Sequence, residues 1–569
     1  MYRLGSLRHT RGLNRIYSSS LTVNRFLSTG QHKKRSHILS KVAGTLAISA
    51  TVLYFTNETF HNTTKHTILT TQRVGVVTLA TFKCFKIYKD VLQRTFDNEH
   101  DRQKALSEAH QKAADITLRA LEKNGGIYIK LGQHVSALTY LLPPEWTNTM
   151  IPLQDQCPQS SMEEIEAMFL EDKGVRLSDI FSEFDPKPVG VASLAQVHIA
   201  TLKETNEKVA VKVQHPSLAE FVPLDIFLTQ TVFGLMHKVF PEYSLTWLGD
   251  EMQSSIYVEL DFVNEATNAQ QTTANFRNMR NLTALRIPYI VLADKRILIM
   301  EYVAGARLDD LEYMKKNNIN TAQVSSCLSH IFNNMIFTPG VGLHCDPHGG
   351  NLAIKAVDKR NSKNGHNFEI VLYDHGLYRY IPLQMKRDYS HFWLAILDND
   401  VPKMKYYAEK FAGIKGDRKF QIFAAAITGR DPENALNYDI KKARGKDEMI
   451  NMQNQLQNEE GVLEDLMYIL SSMPRIVLLI LKTNDLTRSL DEKLNNPLGP
   501  ERTFLILANY CARAVYEEAL EENSKKWDRF SFTWFSHNLC SWLSYRKRIS
   551  SLYLYDIYMF FRNLRLSVS

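Results

Sequence analysis

Along most of the chain apolar positions recur at helical spacing, and in one central stretch they alternate instead. Residues 99–124 read as an amphipathic helix stopped by Asn124-Gly125-Gly126, since glycine accepts the backbone turn that ends a helix. A second helix, 127–142, runs up to Pro143-Pro144, and on it Tyr128, Leu131, Val135 and Leu138 form a core stripe. Lys130 and Gln133, three apart, share a different face, where a polar pair is ordinarily solvated. From about residue 176 the period falls to two. Residues 196–203 and 208–214 alternate on either side of the turn Glu204-Thr205-Asn206-Glu207. In the second strand Val209, Val211 and Val213 point one way, and Ala210, Lys212 and Gln214 the other. Helical spacing returns over 246–280, a strand follows at 296–303, and a helix at 321–337. Residues 351–356 and 368–373 pair as a hairpin around the polar loop 357–367, and the chain to about 520 is then mainly helical. No internal repeat is evident, and 569 residues exceed one ordinary core.

The beginning of the chain follows a different rule. Residues 1–57 hold nine basic residues (Arg3, Arg8, Arg11, Arg15, Arg25, Lys33, Lys34, Arg35, Lys41) and no acid. An acid-free, Arg- and Ser-rich opening is the composition of a mitochondrial presequence, and Arg15-Ile16-Tyr17-Ser18 resembles a matrix-processing site. A plain basic tail is the alternative. The uncharged run 42–57 has 16 residues, slightly under the ~20 that cross ~30 Å of hydrocarbon. It reads as either one membrane span or a buried helix. As a span flanked by nine positive charges, it would leave the body in the intermembrane space.

Composition narrows the rest. At 44% hydrophobic and 23% charged the chain is globular and not disordered. The net charge of +7 resides in the leader, because 59 basic residues face 61 acidic ones beyond it. That near-neutral body argues against nucleic acid as a partner. Six cysteines lie far apart without a C-x-x-C, so neither a zinc site nor a disulfide scaffold is suggested.

Four local signals carry chemistry, and their order matters. The turn Pro188-Val189-Gly190-Val191-Ala192-Ser193 is made of small residues whose backbone N–H groups suit a phosphate. Lys212 in VAVK lies mid-strand among apolar neighbours, where an ammonium needs an anion. The helix ELDFVNEATN offers Glu259, Asp261, Glu265 and Asn268 as partners for it or as metal ligands. HCDPHGGN places Asp346 and Asn351 five apart, and Asp374-His375-Gly376 follows the hairpin. An Asp-x4-Asn loop, a strand pair and a second Asp before Gly form the arrangement that holds Mg²⁺ on ATP phosphates in protein kinases. The oxygen ligands suit magnesium, and the hairpin closes the 28-residue gap between the two aspartates.

With these motifs the sequence resembles the UbiB, or aarF-domain-containing, atypical kinases. The resemblance runs from about residue 124 to 376, and more loosely through LLILKTNDLTRSL to 499. It rests on KLGQ (Lys130, Gly132, Gln133), GVASLAQVH, VAVKVQHP, ELDFVNEATN, MEYVAGARLDD and HCDPHGGN. It implies an α+β, atypical protein-kinase-like bilobal fold with a helical N-terminal extension and a mainly helical C-lobe. The expected divisions are 1–41 presequence, 42–57 span, 58–175 extension, 176–303 N-lobe, 304–520 C-lobe and 521–569 tail.

By the same resemblance Ala192 and Ser193 belong to the phosphate loop, Lys212 pairs with Glu265 and the nucleotide, and Glu301–Val303 is the adenine hinge. Asn351 and Asp374 bind Mg²⁺, and Asp346 takes the catalytic-base position. The K-x-G-Q helix, with Glu259 and Asp261, folds over the peptide-substrate cleft as a lid. Departures are also present. The Ala-rich loop reads Gly190-Val191-Ala192-Ser193, and His348-Gly349-Gly350-Asn351 replaces His-Pro-Gly-Asn. His375 removes the apolar plug of Asp-Phe-Gly, Cys345 replaces an Arg, and no Ala-Pro-Glu follows.

The resemblance implies ATP and Mg²⁺ as cofactors and ATP hydrolysis coupled to a membrane lipid or quinone, chiefly coenzyme Q, at the mitochondrial inner membrane. Protein partners are not indicated. The other class of reading is a nucleotide-binding pseudokinase acting as a non-catalytic lipid or protein scaffold. Residues 525–569 hold eight basic and two acidic residues with Trp542, Tyr545, Tyr553, Tyr555, Tyr558 and Phe560. That segment reads either as a lipid-interface helix or as a helix packed on the C-lobe.

Overall fold

The computed structural model describes residues 57–568, apart from 139–141, 155–156, 158, 242–244, 348, 360–361, 363, 429–464, 466–467, 470–471 and 496–498. The presequence, nearly all of the 42–57 run and His348 lie outside these. The chain divides into two compact units, Met1–Arg73 and Val74–Ser569. Helix α1 (Glu58–Leu92) begins in the first and ends in the second.

In the second unit, α2 (Glu99–Asn124) starts at Asn98, whose side chain accepts from Asp101 N, and stops at Gly125 with φ 64°. The helix expected over 127–142 is shorter: α3 spans Ile127–Ala137. Gly132 lets it lie against Ile151–Gln154, since a Cβ there would meet Leu153 Cδ1 at 2.1 Å.

The N-lobe is an antiparallel sheet backed by helices. Helix α4 (Met162–Lys173) precedes strands β1 (Phe181–Phe184), β2 (Gly190–Val191), β3 (Ala195–Leu202) and β4 (Lys208–Gln214). Then come α5 (Ser217–Val239), α6 (Thr246–Glu259), α7 (Phe262–Phe276), β5 (Leu285–Arg286), β6 (Ile290–Ala293) and β7 (Ile297–Glu301). The sheet order is β1-β3-β4-β7-β6, with β2 on β3. Period-two patterning explains its two faces. Val209, Val211 and Val213 join Ile165, Phe169 and Ile299 in one core, while Leu298 and Met300 pack on Phe262 and Ala266 of α7 across the other. Helix α5 is long and apolar enough to cross a membrane, but one side of it is core, through Leu218, Val222 and Ile226 against Ile256 of α6.

The C-lobe opens with β8 (Ala306–Arg307) and α8 (Thr321–Phe337), continues through β9 (Leu343–His344), β10 (Leu352–Ala356), β11 (Phe368–Leu372) and β12 (Tyr378–Arg379), and becomes helical. The hairpin β10–β11 pairs Leu352 with Leu372 and Ala356 with Phe368. Helices α9 (Leu383–Leu397), α10 (Val401–Ala412), α11 (Asp417–Thr428), α12 (Arg475–Lys493), α13 (Gly499–Lys526) and α14 (Phe532–Val568) follow. α14 turns one side to α13, with Leu552 packed on Leu505 and Ala508 and Tyr545 stacked on Tyr516. Its other side exposes Phe535, Trp542, Leu543, Tyr553, Leu554, Tyr558 and Phe561. Of the two readings of the tail, these contacts bear out the helix packed on the C-lobe.

Candidate active site

The polar face of β4 delivers Lys212 into the space beneath α7. Its Nζ lies 2.7 and 2.9 Å from the two Glu265 oxygens, 3.6 Å from Asp374 Oδ2, and 5.1 Å from the centre of the Phe262 ring. Glu265 is buried, and its position depends on a break that periodicity over 246–280 does not reveal. Gln214 Nε2 donates to the Leu260 and Lys295 carbonyls at 2.6 and 2.9 Å, taking an α6-end carbonyl out of the helical ladder. Asp261 then caps α7 by accepting from Val263 N at 3.1 Å. A backbone carbonyl taken by a side chain and a side chain that caps the next turn are what end and restart a helix. The break sends Glu259 one way and Glu265 another.

Across the cleft, His344 on β9 joins the two aspartate segments. Asp346 N donates to His344 Nδ1 at 3.0 Å, so Nε2 carries the ring proton and donates to the Asp374 carbonyl at 3.0 Å. Asn351 Nδ2 donates to the Asp346 carbonyl at 3.1 Å, which leaves Oδ1 as its ligating atom. Asp374 Oδ1 accepts from Gly376 N at 2.7 Å. The Asp346 carboxylate meets an ammonium at each oxygen, Lys482 Nζ at 2.9 Å from Oδ1 and Lys130 Nζ at 3.4 Å from Oδ2. Lys130 is also 2.8 Å from Glu259 Oε2.

Three ammonium groups here face four carboxylates, and the imbalance shows in their affinities for protons. Burial disfavours the Lys212 charge, but Asp374 and Glu265 outweigh it and hold the ammonium above its ordinary range. Burial opposes the Lys130 charge too, and Glu259 and Asp346 overcome it. Glu265 is pushed up to about 7, burial outweighing Lys212. Glu259 is raised for the same reason. Asp374 runs the other way, held well below the usual carboxylate range against its burial by Lys212 and the Gly376 N–H. Glu259 Oε1 is buried and without a hydrogen bond among the described residues. A net-negative pocket with oxygen donors and one orphaned carboxylate oxygen fits a divalent cation such as Mg²⁺, which Asp374 and Asn351 would hold. Among the described residues no group of three His, Cys, Asp or Glu gathers as a metal centre. The kinase-type donor set has one Asp and one Asn, and is completed by phosphates.

Other expected residues lie elsewhere or are already engaged. Ala192 N donates to the Ala195 carbonyl at 2.8 Å, so tight closure of the turn withholds the N–H assigned to a phosphate. Ser193 is buried beside it. Glu301 turns its carboxylate to Arg286 at 2.5 Å, and the Val303 carbonyl accepts from the Tyr373 hydroxyl at 2.8 Å. Gln133 does not join Lys130 in the cleft. It donates to the Leu153 carbonyl of the 151–154 segment at 3.0 Å, although its spacing puts it on the same side of α3 as Lys130. Asp261 is a helix cap and not a partner of Lys130.

His375 is no gap in the fold. It is buried, stacked on Tyr378, and bonded to that hydroxyl at 3.0 Å. Burial holds it down to about 3, so a neutral ring fills the plug position. Cys345 is buried as well, and its thiol is pushed up to about 12. Lys482 belongs to the site although no motif marks it. Its one signal is that it directly follows the apolar run 476–481 in the segment LLILKTNDLTRSL.

With this geometry in place, likenesses to known proteins become interpretable. Residues 152–408 match the ABC1 atypical kinase-like domain. The chain is 56% identical to the ABC1 family protein MCP2 of Saccharomyces cerevisiae over 546 residues, 95% of each chain. It is 45% identical to the ABC1 family protein MCP2 homolog of Schizosaccharomyces pombe, over 88% of each. The AarF domain-containing protein kinase 1 of Mus musculus is 36% identical over 75% of this chain and 77% of its own.

Proposed function

This chain belongs to the ABC1, or UbiB, family of atypical kinases, and from that premise we propose that it is a Mg-ATP-dependent kinase or ATPase of the mitochondrial inner membrane. Its work is the coupling of ATP binding and hydrolysis to coenzyme Q or membrane-lipid homeostasis. The observation that carries the nucleotide part is the buried Lys212–Glu265 pair beside Asp374. A strand lysine oriented by a helix glutamate next to a metal-binding aspartate is the phosphate grip of kinase folds. When bound, Mg²⁺ neutralises charge between phosphate oxygens. Lys212 binds and orients the phosphates, Glu265 fixes its ammonium, and Asp346 orients the hydroxyl or water that attacks.

The membrane part has separate support. The acid-free leader and the apolar 42–57 run suit an inner-membrane protein with its body in the intermembrane space. The exposed aromatic face of α14, with Arg546 and Lys547 beside it, suits an anionic lipid interface. The full-length protein, reconstituted in liposomes, should hydrolyse ATP faster when a quinone-like lipid is present. Equal turnover with and without such lipids removes the lipid coupling, and no turnover in either leaves the scaffold reading. One observation favours that second reading: Asp346 has both carboxylate oxygens in ion pairs.

A further inference from the structure

Helix α12 lies along the Asp346–Asn351 loop. Thr483 Oγ1 donates to the His344 carbonyl at 3.3 Å, and a Cβ on Gly349 would sit 3.7 Å from Leu490 Cδ2. Lys482, adjacent to the buried Thr483, reaches Asp346 Oδ1 at 2.9 Å. Between Asp346 and Asn351 the loop has no Lys or Arg of its own. The charge of a transferring phosphoryl group spreads over its three equatorial oxygens, and a cation beside the base is what stabilises it. Here the chain offers that cation from a helix about 136 residues further on.

We propose that Lys482 is a catalytic residue that binds the terminal phosphate of the nucleotide. The proposal rests on the Mg-ATP reading above and deepens it, assigning the γ-phosphate to the side of the cleft opposite Lys212.

Comparison with a structural lysine of the same lobe supports this. Lys386 is 2% exposed, and its ammonium donates to the Met335, Thr338 and Val341 carbonyls at 3.3, 2.5 and 3.2 Å. Three protons meet three fixed acceptors, and nothing remains for a ligand. The Lys482 side chain is 21% exposed, and Asp346 is its hydrogen-bond acceptor among the described residues. An ammonium has three donors, so donors remain for a phosphate oxygen.

The position also couples two events. While both Asp346 oxygens are in ion pairs, the carboxylate is poorly placed to orient a hydroxyl or water. A γ-phosphate draws Lys482 toward itself and releases Oδ1. ADP has no γ-phosphate and leaves the clamp in place.

The test compares Mg-ADP with a non-hydrolysable Mg-ATP analogue on the full-length protein, wild type, Lys482→Ala and Lys482→Arg. Lys482→Ala should keep its Mg-ADP affinity within about twofold and lose about tenfold or more for the analogue, the worth of one charge-assisted hydrogen bond. Its ATP turnover should fall at least as far, and Lys482→Arg should restore part of the discrimination, because the charge is kept. Retained Mg-ADP binding serves as the folding control. If Lys482→Ala binds the analogue as wild type does, or loses both ligands equally, the inference is overturned while the nucleotide reading stands. If the wild-type protein binds neither nucleotide, the nucleotide reading falls and takes the inference with it.

Discussion

The two halves of the cleft differ in their balance of charge. In the half beneath the N-lobe sheet one ammonium, Lys212, is set against Glu265 and against Asp374 of the C-lobe. In the other half Lys130 and Lys482 flank Asp346, and Lys130 also meets Glu259 at 2.8 Å. The first arrangement is short of cations and suits a metal, and the second is balanced and leaves Lys482 donors for a phosphate. Mg-ATP carries both a metal and phosphates. A pocket of one sign throughout would have to choose between the two. Desolvation makes the division matter, because charges inside a buried site interact several times more strongly than on a surface.

Breaking the N-lobe half should give the largest effect. Lys212→Met leaves Glu265 buried without its partner and should lower unfolding free energy by about 3–5 kcal/mol, as well as abolishing nucleotide binding. Adding Glu265→Gln should recover most of the stability and none of the binding. Urea unfolding of the single and double variants, beside a nucleotide titration, separates the two outcomes. Stability unchanged in the single variant would mean that the pair contributes nothing to the fold.

Asp374→Asn sharpens the same half without emptying it. Removing the charge that a metal would meet should raise the Mg-ATP Kd about 100-fold, the scale of truncating one partner of a buried charge pair. The fold should persist, since Asp374 is one-third exposed and outside the hydrophobic clusters. Undiminished affinity in a folded variant would remove Asp374 from the site.

On the C-lobe side, Lys130→Ala frees Asp346 Oδ2 and should raise ATP turnover or shift nucleotide preference by up to about tenfold. Selectivity and phosphotransfer both equal to wild type would end the lid reading of α3.

A separate effect is one of pH. Glu265 is ionised above about pH 4.5 when unfolded and above about 7 in the fold. Between those values the native state holds a proton that the unfolded chain has released. Its stabilising contribution is therefore complete below pH 4.5 and is lost as pH rises through 7. Glu265→Gln should flatten that part of a stability–pH curve, and a curve unchanged by the substitution would show that Glu265 titrates elsewhere.

The N-lobe half was largely legible in the sequence, and the C-lobe half only partly. Alternation placed Lys212 on the polar face of a strand, and a turn-flanked hairpin brought Asp346 and Asp374 together, because both patterns are local and periodic. The break at Leu260-Asp261 was not legible. It depends on Gln214, which reaches the helix end from a strand about 46 residues earlier. Gln133 was drawn into the cleft by its motif and its i,i+3 spacing from Lys130, but its amide goes to the Leu153 carbonyl of a neighbouring segment. Lys482 was missed because it is one of four cations on α12, with Arg475, Arg488 and Lys493, and only tertiary packing aims it at Asp346. The Ala192 N–H was likewise assigned to a phosphate when the turn closes on it. Sequence periodicity tells which face a residue occupies, and it does not tell what lies opposite.

The claim that one half of the cleft needs a metal and the other a phosphate is tested most directly by the divalent dependence of nucleotide binding. ATP should be titrated into the full-length wild-type protein in Mg²⁺ and again in chelator. Tight binding in Mg²⁺ that weakens by about 100-fold or more in chelator is the predicted result, because the carboxylates around Lys212 then repel the unmasked phosphates. Equal binding in both conditions would contradict the account, since the surplus of carboxylates around Lys212 would then have no bearing on the ligand.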